Sequence, residues 1–136
     1  KIKMNNFKKL SSLSLALIIS LASLRAQAKN NKTVDKARTA VENASPDDWK
    51  TYAKSVQTLI RKKTNLADVK MWIEKSISIR ETSFNLEVFG DYYVMNNMPF
   101  MASTYYIKSL KKMRAEIPGC DISKIQAKVV ALGKIK

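Results

Sequence analysis

The chain has 136 residues, with 25 lysine and arginine residues against 11 aspartate and glutamate residues, and a formal net charge of +14. It contains no histidine and a single cysteine, Cys120. The lack of histidine removes the commonest general base and metal ligand, and a lone cysteine cannot form a disulfide within the chain. We therefore expect a fold stabilised by packing, with no metal site and no cofactor.

The first 28 residues have the pattern of a secretory signal peptide with a short N-terminal extension before Met4. The lysine pair Lys8-Lys9 precedes an uncharged apolar run over residues 13–24, and Ala26-Gln27-Ala28 offers the small residues that signal peptidase accepts. We predict cleavage after Ala28 and export to the periplasm or the medium. A retained membrane anchor is the alternative, although the run is shorter than the ~20 residues that a spanning helix needs.

Residues 29–45 are polar, with only small apolar side chains at helical spacing, which predicts a polar tail or a weak helix. A stronger helix signal follows. Ser45 can act as the N-cap, Pro46 can occupy the first turn, and Asp47-Asp48 places negative charge at the positive end of the helix dipole. This helix should extend to about residue 62. Its apolar stripe consists of Trp49, Tyr52, Ala53, Val56, Leu59 and Ile60.

Four further helices are predicted, because each of the remaining segments has apolar residues at spacings of three and four. Pro99 begins one of them, and Pro118-Gly119 breaks the chain before the last. In chain order they cover residues 66 or 67–79, residues 84–96, residues 99 to about 116, and a final segment that opens at Asp121 or Ser123.

Two segments of the chain resemble one another. Val69-Lys70-Met71-Trp72-Ile73-Glu74-Lys75-Ser76-Ile77 is followed, 33 residues later, by Ala102-Ser103-Thr104-Tyr105-Tyr106-Ile107-Lys108-Ser109-Leu110. A period of about 34 residues that holds two amphipathic helices is typical of helical-hairpin repeats, whose units stabilise one another by stacking. The predicted helices therefore pair into two hairpins, followed by one last helix.

The second hairpin resembles the tetratricopeptide repeat (TPR). The matching positions are Leu86, Phe89, Gly90 and Tyr93 in its first helix and Ala102, Tyr106 and Ser109 in its second. The first hairpin departs from the motif, with Gln57 in the place of Gly90 and Val69 where alanine is preferred, so it resembles a degenerate or terminal repeat. The resemblance covers about residues 46–116. It implies an all-α domain over residues 46–136, built as a short right-handed stack of antiparallel helix hairpins with a C-terminal capping helix.

The small residues of this motif let helices approach closely, with aromatic side chains filling the gaps beside them. Trp72, Tyr93, Tyr105 and Tyr106 are therefore expected in the core rather than in a cage that stacks on a ligand, because their spacing follows the helix stripe.

The resemblance also implies a binding groove lined by the first helix of each hairpin. The groove candidates are Lys54, Thr58 and Arg61 from the first hairpin and Glu87, Asp91 and Met95 from the second. The set carries both charge signs, so it could recognise an extended peptide with one basic and one acidic end. The alternative is an ordinary solvated helix face.

No residue of the chain suggests a catalytic mechanism. Cys120 lies in a turn beside Pro118-Gly119, where only Lys124 or a helix amino terminus could activate its thiol. The carboxylate pair Asp47-Asp48 is explained by its place at a helix start. We expect no catalytic residues and no enzymatic activity.

Two functions agree with these features. The first is an exported interaction module or scaffold that binds a protein or peptide partner, or a second copy of the chain, because a short stack leaves an apolar end face. The second is a basic envelope protein that binds polyanions, since residues 29–136 keep a net charge of +9. Its basic clusters would be Arg61-Lys62-Lys63 and the group Lys108, Lys111, Lys112 and Arg114. Nucleic acid is not expected as the partner of an exported protein, and no stable membrane span is expected after signal cleavage.

Overall fold

The computed structural model describes residues 32–64 and 67–133. Every regular element in these ranges is an α-helix, and no strand occurs in them, so the prediction of an all-α protein is confirmed. The predicted signal peptide lies outside the described residues. None of the described helices combines the length and the apolarity needed to cross a membrane.

The chain divides into two units, Lys1–Asp35 and Lys36–Lys136. Of the first unit only residues 32–35 are described, as the first residues of a helix that continues to residue 42. All contacts discussed below lie within the second unit. The six helices of the described ranges are α1 over residues 32–42, α2 (Trp49–Arg61), α3 (Asp68–Ile79), α4 (Ser83–Met95), α5 (Pro99–Glu116) and α6 (Ser123–Leu132).

The segment predicted as a polar tail or weak helix is helical over most of its length, as α1. Ala37 is its buried apolar residue. The guanidinium of Arg38 lies 3.3 Å from the carboxylate of Asp68, at the start of α3. Helix α1 therefore contributes a small buried side chain and an exposed ion pair, which agrees with its weak amphipathic pattern.

The start of α2 differs from the prediction. The helix begins at Trp49, and Ser45 and Pro46 precede it. Asp48 is the N-cap, because its carboxylate accepts the backbone N–H of Thr51 at 3.1 Å and the Thr51 hydroxyl at 2.6 Å. These hydrogen bonds, from the hydroxyl above all, lower the pKa of Asp48. The prediction of Ser45 as the cap was wrong, since a carboxylate closer to the apolar stripe takes that role.

Each of the two predicted hairpins contains an equivalent hydrogen bond between its two helices. Ser76 and Ser109 occupy corresponding places in the repeated segments, and both are fully buried. Ser76 donates to the carbonyl of Trp49, the first residue of α2, and Ser109 donates to the carbonyl of Ser83, the first residue of α4, each at 2.7 Å. The end of α3 therefore lies beside the start of α2, and α5 meets the start of α4 in the same way. The repeat in the sequence thus corresponds to a repeated contact in the structure.

Helices α4 and α5 are in close contact at Gly90. A Cβ atom built on this glycine would overlap the Tyr106 ring, since it would lie 3.1 Å from Cζ and nearer still to Cδ1 and Cε1. Beside this contact the Phe89 ring centroid lies 4.7 Å from that of Tyr93 and 4.4 Å from that of Tyr105. Trp72, Tyr93 and Tyr106 are buried, as predicted, and Tyr105 is half-buried. Helix α4 also packs against α2 and α3, and α6 packs against α5.

Removal of the Ser76 hydroxyl should destabilise the fold more than removal of the Ser109 hydroxyl. Ser76→Ala removes the side-chain donor to the Trp49 carbonyl and also removes an acceptor 3.1 Å from the buried Asn85 amide. Ser109→Ala affects the Ser83 carbonyl alone. Each buried group left without a partner costs about 1–3 kcal/mol, so we expect the Ser76 variant to lie toward the upper end of that range in urea unfolding.

The matched control is Ser78→Ala, because Ser78 is exposed and its hydroxyl donates within its own helix to the carbonyl of Lys75. This variant should lose less than about 0.5 kcal/mol. Equal urea midpoints for the Ser76 and Ser78 variants would contradict the role assigned to the buried hydroxyl.

Gly90→Ala should lower the free energy of unfolding by about 1–3 kcal/mol, because the added methyl group meets the buried Tyr106 ring. The sign of this change in stability is informative, since alanine favours the helix by about 1 kcal/mol over glycine where its methyl group meets no neighbouring atom. Gly133→Ala is the control, as its Cβ would meet nothing nearer than the Val130 carbonyl at 3.6 Å. A Gly90 variant that is as stable as the native chain in thermal unfolding would show that α4 and α5 are not in close contact there.

Candidate functional site

A cleft of about 560 Å³ opens between α2 and α4. Ile60 lines it from the last turn of α2 and Lys63 from the turn that follows that helix, and Asp91, Val94 and Met95 line it from α4. Three of these five side chains are apolar, with one basic and one acidic side chain beside them. We call this concave surface the α2–α4 cleft.

Two of the six predicted groove residues, Asp91 and Met95, line the α2–α4 cleft. The three candidates from α2 are exposed and are not among the residues that line it; they are Lys54, Thr58 and Arg61. The Thr58 hydroxyl donates to the carbonyl of Lys54 in its own helix, at 2.9 Å. The sixth candidate, Glu87, contacts α6 instead.

Glu87 and Asp91 bind the same lysine of α6. The Lys128 ammonium lies 2.7 Å from Oε1 of Glu87 and 2.6 Å from Oδ1 of Asp91. The exposed fractions of the Glu87, Asp91 and Lys128 side chains are 13%, 24% and 27%. Lys124 lies 3.7 Å from Glu87, but 78% of its side chain is exposed. A cation of the chain itself therefore occupies both carboxylates that the sequence suggested for a ligand.

Tyr106 completes this cluster from α5. Its hydroxyl donates to Oδ1 of Asp91 at 2.6 Å, and its ring centroid lies 5.3 Å from the Lys128 ammonium. Burial raises the pKa of Tyr106, and the hydrogen bond to Asp91 raises it further. Burial by itself lowers the pKa of Lys128, but the hydrogen bonds to Asp91 and Glu87 outweigh it and the pKa is raised. Lys128 therefore stays charged and Tyr106 stays a donor at neutral pH.

The basic side chains at the end of α2, unlike Lys128, are not paired with carboxylates of the described residues. Arg61, Lys62 and Lys63 are exposed, and none of them forms an ion pair with a residue that the structure describes. The structure thus differs from the expected groove with one basic and one acidic end. The carboxylates of its acidic end, Glu87 and Asp91, are paired with Lys128, and the side chains of its basic end are exposed to solvent.

The sequence pattern does not identify Lys128 as a member of the site. One signal was available, since Lys128 follows the buried Ile125 by three residues and so lies on the same helix face. The pattern could not show that this face meets Glu87 and Asp91, because stripe spacing does not determine how one helix packs on another. The other three residues that line the α2–α4 cleft, Ile60, Lys63 and Val94, were not among the groove candidates for the same reason.

A second cleft, of about 240 Å³, lies among α3, α4 and α5. Phe89 and Tyr105 are among the residues that line it, with Glu81 and Lys108. The Lys108 ammonium lies 5.0 Å from the Tyr105 ring centroid, and Lys112 lies 3.8 Å from Glu81. Part of the second basic cluster is therefore already paired with rings and acids of its own chain.

The cysteine and the carboxylate pair considered as reactive groups both make contacts that are part of the fold. The Cys120 thiol is half-buried and lies 3.7 Å from the carbonyl of Met113. Asp48 caps α2, as the sequence suggests for the pair Asp47-Asp48. Within the described ranges no group of three or more Cys, Asp or Glu side chains is placed to hold a metal ion.

No protein-family model, no curated protein and no solved structure matches this chain.

Lys128→Met should lower the free energy of unfolding by about 1–3 kcal/mol, because it removes the cation nearest to two half-buried carboxylates. Lys124→Met removes the same charge from an exposed position and should cost less than about 0.5 kcal/mol. Both variants keep an apolar stem of similar length, so urea unfolding compares the loss of one ammonium group at two positions.

A double-mutant cycle tests the contact itself. Lys128→Met combined with Asp91→Asn should show a coupling free energy of at least about 0.5 kcal/mol, because the two groups are in direct contact. Equal costs for the two lysine variants, together with additivity in the cycle, would contradict the arrangement of α6 on α4.

Proposed function

We propose that this chain is an exported, non-catalytic protein–protein interaction module, in which two TPR-like hairpins form a right-handed stack and α6 caps its end. The first helices of the two hairpins are α2 and α4, and their second helices are α3 and α5. The partner binds in the α2–α4 cleft.

Several contacts support the stack. In each of the hairpins α2–α3 and α4–α5, a buried serine of the second helix donates a hydrogen bond to the first residue of the first helix. Helix α4 packs against both helices of the first hairpin, as repeat units do when they bury a common core. Helix α6 packs against α5 and reaches α4 through Lys128. Export is supported by the apolar run over residues 13–24 and the cleavage pattern Ala26-Gln27-Ala28.

The observation that carries the proposal is the apolar lining of the α2–α4 cleft. Ile60, Val94 and Met95 meet there between two helices, and 41% of Val94 is exposed. A concave apolar surface with a few polar groups at its edge is typical of a site that takes a side chain from a ligand. The neighbouring lysines and arginine have no partner within the described chain, which favours an acidic group beside that side chain.

The partner is therefore a peptide segment with a large apolar side chain next to an acidic residue. Among the residues that the structure describes, five line the cleft, and a contact of that size should give a modest affinity. A modest affinity agrees with a scaffold that exchanges partners.

The proposal is tested by affinity capture with the full chain as bait, from an envelope extract of the cells that make it, with washes at low and then high salt. The variants are Met95→Glu, which places a charge in the apolar cleft, and Ile107→Glu, which places the same charge at a residue of α5 that lines neither cleft. Ile107 is 42% exposed, so its substitution should leave the fold intact.

We expect one discrete protein to be retained through high salt by the native bait and by Ile107→Glu, and to be lost from Met95→Glu. Circular dichroism of each bait serves as the folding control. Retention of polysaccharide or lipid alone, with complete release by salt, would contradict the proposal and favour polyanion binding. Retention of the protein by Met95→Glu as well would place its binding site outside the cleft.

A further inference from the structure

Exposed apolar side chains collect at one end of the two hairpins. Ser76 and Ser109 bring the end of α3 and the later part of α5 to the starts of α2 and α4, so the other ends of all four helices lie where each hairpin turns. We call this the turn end. Seven large apolar side chains are exposed in the described ranges, and four of them belong to the turn end. They are Phe100 at 82%, Met71 at 59%, Met98 at 48% and Val94 at 41%.

The turn end is also basic. Arg61, Lys62 and Lys63 lie there, exposed and without an ion pair to any described residue. The acidic residue among its helix ends, Asp68, is already paired with Arg38. The opposite end carries several carboxylates beside its basic residues: Asp47, Asp48, Glu81, Glu116 and Asp121. Positive charge without internal compensation and exposed apolar surface therefore occur together at one end of the hairpins.

We propose that the turn end docks on an anionic lipid surface, with Phe100 and Met98 entering the headgroup region and Arg61, Lys62 and Lys63 binding lipid phosphates. An exposed apolar group surrounded by basic side chains gains from both the burial of its surface and the attraction of the charges to anionic headgroups. This inference goes beyond the proposed interaction function, because Phe100 and Met98 do not line the α2–α4 cleft.

The shape and charge of the turn end favour lipid over the other occupants. Phe100 stands in the first turn of α5 with about four fifths of its surface exposed, so it protrudes instead of lining a concave site. A second copy bound end to end would bring the same three unpaired cations against one another, which is unfavourable. An anionic bilayer supplies many phosphates and a deformable apolar layer, and it needs no matching cavity.

The test places an environment-sensitive fluorophore at residue 100 of the full chain. Phe100→Cys is labelled with nitrobenzoxadiazole in a chain that also carries Cys120→Ser, and the control is Ile117→Cys in the same background. Ile117 is an apolar residue, 60% exposed, at the opposite end of α5. Each protein is mixed with vesicles of phosphatidylcholine, with and without phosphatidylglycerol.

We expect the label at residue 100 to gain intensity severalfold and to shift to shorter wavelength with the phosphatidylglycerol vesicles, while the label at residue 117 stays unchanged. Equal responses at the two positions would overturn the proposal. So would an unchanged label at residue 100 on chains that float with the vesicles, since contact would then be made by another part of the chain. A blue shift that grows with protein concentration in the absence of vesicles would assign the turn end to a second copy.

The charge requirement is tested with two triple variants that each remove three positive charges. Arg61→Gln with Lys62→Gln and Lys63→Gln should weaken flotation with phosphatidylglycerol vesicles by at least about tenfold. Lys108→Gln with Lys111→Gln and Arg114→Gln should weaken it by less than about threefold, because those residues lie along α5 and not at the turn end. Equal losses would show that total charge, and not the turn end, controls binding. None of these outcomes involves Met95, so failure here leaves the cleft proposal to be decided by its own variants.

Discussion

The contact between Gly90 and Tyr106 determines how three helices of this protein meet. Because Gly90 has no side chain, the Tyr106 ring of α5 lies against the backbone of α4. That position brings the tyrosine hydroxyl to Asp91, one residue further along α4, and the same carboxylate oxygen accepts a hydrogen bond from Lys128 of α6. The position of the last helix therefore depends, through two hydrogen bonds, on one residue without a Cβ atom.

This arrangement also decides which charges remain for partners. Glu87 and Asp91 neutralise Lys128 inside the fold, while the cations at the end of α2 stay exposed. The surface near the α2–α4 cleft is consequently more basic than the sequence implies, although the chain holds acidic residues nearby. We propose an acidic and apolar peptide in the cleft and an anionic lipid surface at the turn end. Both proposals follow from the pairing of the carboxylates inside the fold while the cations after α2 remain exposed.

Much of the helical framework could be predicted from the sequence, because apolar spacing and breaks such as Pro99 are local signals. The repeated segments indicated that Ser76 and Ser109 are equivalent, and both make the same hydrogen bond. The cap of α2 was misplaced, since Ser45 and Asp48 are both good capping residues and the sequence does not rank them. Lys128 was missed for a different reason. Its role depends on how α6 packs on α5 and on where this packing places Lys128 relative to α4, which spacing within one helix does not determine.

The most direct test of this account is a nuclear Overhauser spectrum of the isotopically labelled chain. If α4 and α5 meet as described, the Hα protons of Gly90 will show strong cross-peaks to the ring protons of Tyr106, and the ring current will shift those Hα resonances upfield. A spectrum of the folded chain without these cross-peaks would contradict the close approach. The links from Tyr106 to Asp91 and from Asp91 to Lys128 would then lose their basis.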